Sequence, residues 1–415
     1  MATQAPTTTT TAGSNVNGNS NSNGNGNGNG APKPKNRAAW IPAKKVIPFK
    51  VSDAPYTRPG PGQVVVKNTA VAINPFDWAL QFIGPALAGY IHYPFIFGTD
   101  VAGEVVEVGP GVTRFAVGDR VCGSSTAIAK EVNDPAEGGF QLYTVLRVHM
   151  LTPIPAGISD EQACVLGLGL GTAAFGLFHK DYLALDMPRL SEKGKGEVQL
   201  GRSGKPSAVI ITGGASSVGS NAIQLAVAAG YEVLSTSSPK NFDYVRSLGA
   251  SHVFDYRSKA LAKDLLSALK GKELVGAYTI GAGAVEACTL VMRKHDPALT
   301  RKFVAVAGAI IPPEKLTTFV GKGTYLIGML GRMVKSSIRQ RRTGVVAKFI
   351  LVDGLVDPDS VVSQIYMDFL PQALERGQFV PAPPPHVVGK GLEKIQEALD
   401  IQRKGVSGKK LVVTL

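Results

Sequence analysis

The spacing of apolar residues divides the chain into three stretches. From residue 1 to about 36 there is no period at all. Thr, Asn, Ser and Gly dominate, and Asn-Gly repeats from Asn23 to Gly30. Such a stretch cannot bury enough apolar surface to offset the entropy lost on ordering, so residues 1–36 are expected to be a disordered tail. It has neither the apolar h-region of a signal peptide nor any arginine before Arg37, which argues against a transit peptide.

From about 38 to 160 short apolar runs alternate with turn residues. Gln63-Val-Val-Val-Lys67 and Asp100–Val108 read as strands, the latter followed by Gly109-Pro110-Gly111. Asp119–Cys122 and Phe140–Val145 have the same character. Short strands at this spacing predict a compact, mostly β domain.

After Asp160 the period lengthens. Residues 160–178 read as one helix, with Ser159 as N-cap and Glu161 in its first turn. Residues 191–206 are polar and Gly/Lys-rich and read as an exposed loop. Strands then alternate with helical patterns: Ala208–Thr212, Glu232–Ser235, His252–Asp255, Gly276–Ile280 and Phe303–Ala307. That alternation predicts a parallel sheet with crossover helices, the doubly wound α/β class. An amphipathic helix over Leu392–Gln402 and a strand over Lys409–Leu415 follow, the strand returning to the first domain.

One segment carries chemistry. The apolar run Ala208-Val-Ile-Ile211 breaks at Gly213-Gly214, small polar residues follow, and Val218-Gly219 opens an alanine-rich helical pattern. A strand, a glycine turn and a helix start in that order present free N–H groups and a helix dipole to a phosphate. A glycine turn alone is a weak signal, but this one has the flanking strand and helix that a dinucleotide site requires. The end of the next strand selects the nucleotide. NAD-binding folds place Asp or Glu there for the ribose 2′-OH. Here Ser235, Thr236, Ser237 and Ser238 precede Lys240, and hydroxyls with a lysine attract a 2′-phosphate. NADPH is therefore the expected cofactor, with Asp243 in the following helix the one nearby carboxylate that opposes this.

Composition narrows the alternatives. At 415 residues the chain has room for two or three domains, at roughly 100–200 residues each. Its apolar runs fall short of the roughly 20 residues that span a membrane. The formal charge of +13 fits a basic protein that binds an anionic cofactor. Its densest basic patch, Arg332, Lys335, Arg339, Arg341 and Arg342, interleaves with Met329, Met333, Val334 and Ile338 at helical spacing. It lacks the aromatic interleaving of a single-strand binding surface, so nucleic acid and membrane are not expected partners. Cys122, Cys164 and Cys288 lie far apart, in neither a disulfide nor a zinc pattern, which fits a reducing, cytoplasmic setting.

Taken in order, several elements resemble the medium-chain dehydrogenase/reductase superfamily. They are Asn74-Pro75-Phe76-Asp77-Trp78, Gly98–Val105, Val117–Val121, Gly138–Tyr143, the glycine turn, Leu248-Gly249-Ala250 and Val406-Ser407-Gly408-Lys409. The likeness covers about residues 38–415 and is nearest to zinc-free quinone-oxidoreductase-like and fungal trans-enoyl-reductase-like members, some labelled zinc-binding alcohol dehydrogenases. It implies a Rossmann sheet over residues 166–374. It also implies a mostly β GroES-like domain over 37–165, completed by 375–415. By resemblance Asn74, Pro75, Phe76 and Asp77 line the nicotinamide side of the cleft, and Ser216, Ser217, Val218 and Gly219 hold the pyrophosphate. Ser238, Pro239, Lys240 and Asn241 surround the 2′-phosphate with Tyr256 beside them, and Val406 and Ser407 close over the nicotinamide.

The zinc label fails on its ligands. Zinc alcohol dehydrogenases carry Gly-His-Glu where this chain has Gly98-Thr99-Asp100, and four close cysteines where it has Cys122 alone. A metal site needs three or four ligands, so none is expected. Without a Lewis acid, the chemistry left is hydride transfer from NADPH to an α,β-unsaturated carbonyl or a quinone. Tyr90, His92 and Tyr93 are candidate donors to the developing enolate, but none is singled out and the catalytic residue stays unassigned. Three readings follow: a stand-alone enone or quinone reductase, monomeric or dimeric; an enoyl reductase acting in trans on a polyketide synthase; or a non-catalytic NADPH-binding protein.

Overall fold

The computed structural model describes residues 34–192, 197–308 and 340–415, with isolated positions at 327, 328, 331 and 338. The expected disordered tail, up to residue 33, and most of the basic helical patch lie outside the described residues.

Two sheets and a small ribbon organise the chain. The N-terminal part contains β1 (Asn36–Ile41), β2 (Lys50–Ala54), β3 (Gln63–Ala72), α1 (Pro75–Leu87), β4 (Phe95–Ile96), β5 (Asp100–Val108), β6 (Arg120–Ser124), β7 (Tyr143–Arg147) and β8 (Leu151–Pro153). Helices α2 (Asp160–Ala163) and α3 (Gly167–Phe178) lead into β9 (Ser207–Ile211), α4 (Ser217–Ala228), β10 (Glu232–Ser237), α5 (Phe242–Ser247) and β11 (His252–Asp255). Then come α6 (Leu261–Ala268), β12 (Glu273–Thr279), α7 (Ala284–Lys294), β13 (Phe303–Val306) and β14 (Val346–Phe349). The chain ends with α8 (Val361–Gln364), α9 (Leu370–Glu375), β15 (Pro385–Lys390), α10 (Lys394–Lys404) and β16 (Lys410–Thr414).

Strands β9 to β14 form a parallel sheet in the order β11-β10-β9-β12-β13-β14. Counted from β9 this is 3-2-1-4-5-6, the doubly wound order that opens a crevice where the winding reverses, between strands 1 and 4. All five residues of β9 are buried, as a central parallel strand covered on both faces requires. The second sheet runs β15-β16-β3-β5-β6-β8, with β7 also on β3. The final strand returns to this sheet as expected, pairing antiparallel with β3. The expected strand from Phe140 begins only at Tyr143, because Phe140 and Leu142 bond instead to Phe97 and Arg37 carbonyls.

The predicted helix over residues 160–178 is two helices. Ser159 caps the first in a capping box with Gln162, and the chain breaks at Cys164–Leu166. By length and composition this run is apolar enough to cross a membrane, against the expectation that none approaches that length. It is nevertheless 78% buried, as a core helix is. Glycines let α3 lie close to its neighbours. A Cβ on Gly169 would meet Ser217 Oγ of α4 at 2.4 Å, and one on Gly176 would meet the Tyr278 ring at 2.5 Å.

Candidate active site

The glycine turn joins β9 to α4 at the switch point. Gly213 is left-handed (φ +65°), a conformation glycine adopts without strain. A Cβ on Gly214 would lie 2.4 Å from Ser235 Oγ, and one on Gly219 would lie 2.2 Å from the Gly213 carbonyl oxygen. Both neighbours are held in place, so the turn admits no side chain there. Thr212 Oγ1 donates to the Ile280 carbonyl and accepts from the Ile280 N–H, tying the ends of β9 and β12.

Ser216 is the N-cap of α4. Its hydroxyl accepts from the Gly219 N–H at 3.1 Å and donates to the Gly213 carbonyl, so the side chain expected on the pyrophosphate is engaged in capping. Ser217 and Val218 open the helix, where N–H groups have no acceptor inside it. Ser217 Oγ is buried with no hydrogen-bond partner. Free donors, the dipole and a turn closed to side chains fit a pyrophosphate.

At the end of β10 the described backbone carries no carboxylate. Ser235 donates to the Ile211 carbonyl, and Thr236 Oγ1 accepts from the Gly213 N–H, so both hold the turn. Lys240 is exposed and has no ion-pair partner among the described residues. Asp243 does not oppose it, being exposed and paired with Arg246 at 2.9 Å. Tyr256 is 55% exposed at the end of β11, and the Arg257 guanidinium lies over its ring at 5.5 Å, paired also with Asp255. Arg257 is a second cation near this corner that the sequence reading missed. Its signal was its place directly after Tyr256.

Asn241 donates to Ser238 Oγ at 3.2 Å and to Ser407 Oγ at 3.1 Å. Ser407 therefore sits beside the residues expected at the 2′-phosphate, whereas its resemblance-based place was over the nicotinamide. Three residues on, Lys410 reaches the Asn74 loop. The segment from Val406 to Lys410 thus bridges the two halves of the cleft.

The Asn74–Asp77 element is built around a buried polar cluster. Asn74, Asp77, Thr99, Asp100 and Lys410 are all 3% exposed or less. Asp77 Oδ2 accepts from the Asn74 N–H at 2.7 Å, and the Lys410 ammonium donates to Asn74 Oδ1. Asn74 Nδ2 donates to Thr99 Oγ1, which donates to Asp100 Oδ1, which also accepts from the Leu168 N–H at 2.7 Å. Lys410 Nζ lies 2.7 Å from Asp100 Oδ2 as an ion pair rather than an aligned hydrogen bond. The Asn74 side chain is thus fully engaged inside the protein, and this loop offers a ligand Phe76 and the exposed Pro75. Burial, followed by the nearby Asp100 charge, outweighs the Asn74 hydrogen bonds and Lys410 and pushes the Asp77 carboxyl up to about 7. Lys410 and Asp100 were missed in the sequence. Their signal was a charge at the first position of a strand, Asp100 opening β5 and Lys410 opening β16.

The three candidate donors divide. Tyr90 OH donates to the Ile128 carbonyl at 2.7 Å, and His92 Nδ1 lies 3.2 Å from Asn133 Nδ2. Tyr93 OH is buried without a partner, beneath Gly84. Burial raises both phenols. Thr99 is tied to Asn74 and Asp100, and no group of three or more His, Cys, Asp or Glu that suits a metal occurs among the described residues. Cys122, Cys164 and Cys288 are buried, and burial keeps each thiol protonated.

A doubly wound sheet with a phosphate turn at its switch point, beside a mostly antiparallel sheet joined by the C-terminal strand, fits a dinucleotide-dependent oxidoreductase. Comparison agrees. The alcohol dehydrogenase GroES-like domain family matches residues 60–156. Dehydrogenase pigH of Monascus ruber is 46% identical over 380 residues, covering 92% of this chain and 99% of that protein. Trans-enoyl reductase himH of Aspergillus japonicus is 36% identical, with 92% and 97% covered. The crystal structure of the CurK enoyl reductase shares the fold at TM-score 0.63 and 19% identity, with 92% and 99% covered. The chain belongs to the medium-chain dehydrogenase/reductase superfamily.

Proposed function

We propose that the chain is an NADPH-dependent, zinc-independent reductase that delivers hydride to an α,β-unsaturated carbonyl or a quinone. The observation that carries the cofactor choice is the end of β10. Lys240, without an ion-pair partner among the described residues, stands there with Ser238 and Asn241, and the neighbouring carboxylates are paired, Asp243 with Arg246 and Asp255 with Arg257. A 2′-phosphate gains from that charge, and a bare ribose has no carboxylate to hold it. Zinc independence rests on Thr99, a hydroxyl occupied within a buried cluster, at the position where zinc alcohol dehydrogenases have an imidazole.

The chain's own residues bind and orient. The first turn of α4 fixes the pyrophosphate, the β10 corner fixes the adenosine end, and Phe76 with Pro75 walls the nicotinamide side. Reduced nicotinamide, when bound, supplies the hydride. The enoyl reductase names among the relatives favour an activated alkene as acceptor, and himH also supports a second reading, action in trans on acyl chains held by a synthase. The three buried thiols suit a cytoplasmic setting.

The test is NADPH oxidation by purified protein against small enones, quinones and aldehydes, with and without a chelator. Turnover of free enones, unchanged by chelation, is the expected result. Turnover of carrier-bound enoyl chains alone would establish the second reading. Tight NADPH binding with no turnover would make the chain a non-catalytic binding protein.

A further inference from the structure

Three ionisable groups are enclosed together beside the Asn74 loop, and their charges do not balance. Asp77 comes from α1, Asp100 from β5 and Lys410 from β16, and none exceeds 3% exposure. One ammonium cannot neutralise two carboxylates cut off from water, where an unpaired charge is strongly unfavourable. The partners show which carboxyl is left over. Asp100 has Lys410, Thr99 and the Leu168 N–H, whereas Asp77 has the Asn74 N–H alone, and its Oδ1 is buried without any partner.

Among the described residues no other charge reaches Asp77. Helix α10, packed on α1, presents Gln396 to Gln81 and the Arg403 guanidinium to the Phe82 ring, both beyond Asp77 along the helix. On the side of Asp100 lie the Cys164 thiol and the Tyr366 phenol, both kept neutral by burial. The charged groups facing Asp77, among the described residues, are Asp100 and Lys410.

We propose that Asp77 is a titrating positioning residue of this reductase: protonated, it holds the Asn74–Phe76 wall in place, and ionised, it sets a second buried negative charge against Asp100 and loosens that wall. The proposal rests on the reductase reading above. The proton belongs on Oδ1, while Oδ2 keeps the Asn74 N–H in either state. Its loss places like charges within one cluster whose hydrogen bonds fix Asn74 from three sides. The position of the carboxyl near 7 puts this change inside the working range of pH.

The experiment has two readouts on the full chain. The first is the infrared difference spectrum of wild type against Asp77→Asn without cofactor, from pH 6 to 8.5. A protonated-carboxyl band is expected in wild type at pH 6, fading by pH 8.5 and absent from the variant. The second is the ratio of kcat/KM at the two pH values. Wild type should fall by up to about thirtyfold across this range, as loss of one required proton near 7 dictates. Asp77→Asn should lack that limb, and Asp77→Glu should restore a displaced one. A wild type without the band, or a limb identical in wild type and Asp77→Asn, would overturn the proposal. If no acceptor is turned over, the reductase reading fails and the infrared titration of wild type, with the pH dependence of bound-NADPH fluorescence, still decides this one. Should Asp77→Asn fail to fold, Asp77→Glu carries both comparisons.

Discussion

Replacing Lys410 by Met keeps the length of the side chain and removes its charge. The structure gives three consequences. Asp100 loses its ion pair, Asn74 Oδ1 loses its donor, and the two buried carboxyls face each other without a cation among the described residues. Removing one partner of a buried pair costs about 3–5 kcal/mol, most of it from the charge left behind. The lost Asn74 bond belongs to the same cluster, so its roughly 1–3 kcal/mol does not add in full. Urea unfolding of Lys410→Met should therefore give a loss of about 3–5 kcal/mol. Asp100→Asn should destabilise too, and the double variant should be more stable than the sum of the singles predicts by about 1–3 kcal/mol, since it removes the charge and its counter-charge together. Single losses below about 1 kcal/mol that add within about 0.5 kcal/mol would refute the picture of a desolvated, coupled cluster.

Gly167→Ala should destabilise by at least about 1–3 kcal/mol although alanine favours helix, because its Cβ would sit 2.3 Å from Asp100 Oδ1, which Thr99 and the Leu168 N–H hold in place; thermal unfolding reads this. Lys240→Ala should weaken NADPH binding by about tenfold and leave NADH nearly unchanged, as fluorescence titration would show, since it removes one exposed cation facing a dianion. Asp77 carries a stability slope of known sign. Its carboxyl is raised from 3.8 to about 7, so the folded chain keeps a proton the unfolded chain releases between those values. Stability contributed by that proton declines as pH rises from 3.8 towards about 7, by at most about 4 kcal/mol, and stays level above. Denaturation of Asp77→Asn over the same range should lack that decline.

The parts of the site legible in the sequence are those set by local backbone demands. The glycine turn reads directly, since Gly213 needs a left-handed φ and Gly214 and Gly219 have no room for a Cβ. The absence of a carboxylate at the end of β10 reads equally well, because the strand itself brings those residues to the crevice. The helix break at Cys164–Leu166 does not. It is imposed by packing, where Gly167 must meet Asp100 and Gly169 must meet Ser217. The buried cluster was invisible for a related reason. Asn74, Asp100 and Lys410 lie far apart in the chain and meet only through the pairing of β16 with β3 and of β3 with β5. The Ser407–Asn241 contact was hidden in the same way, since the two residues lie 166 positions apart in the chain. Ser216 shows the converse. Its place in the motif reads as a phosphate ligand, and its hydroxyl is the cap that holds the helix start open.

Hydride delivery from NADPH is tested most directly by isotope. NADPH deuterated at the transferring position of its nicotinamide C4 is incubated with the purified protein and a small enone, and the product is read by mass spectrometry and NMR. The expected product is a saturated carbonyl carrying one deuterium at the former β-carbon, formed in the presence of a chelator and much more slowly with labelled NADH. Unlabelled product, a preference for NADH, or loss of the reaction on chelation would contradict zinc-independent hydride delivery from NADPH.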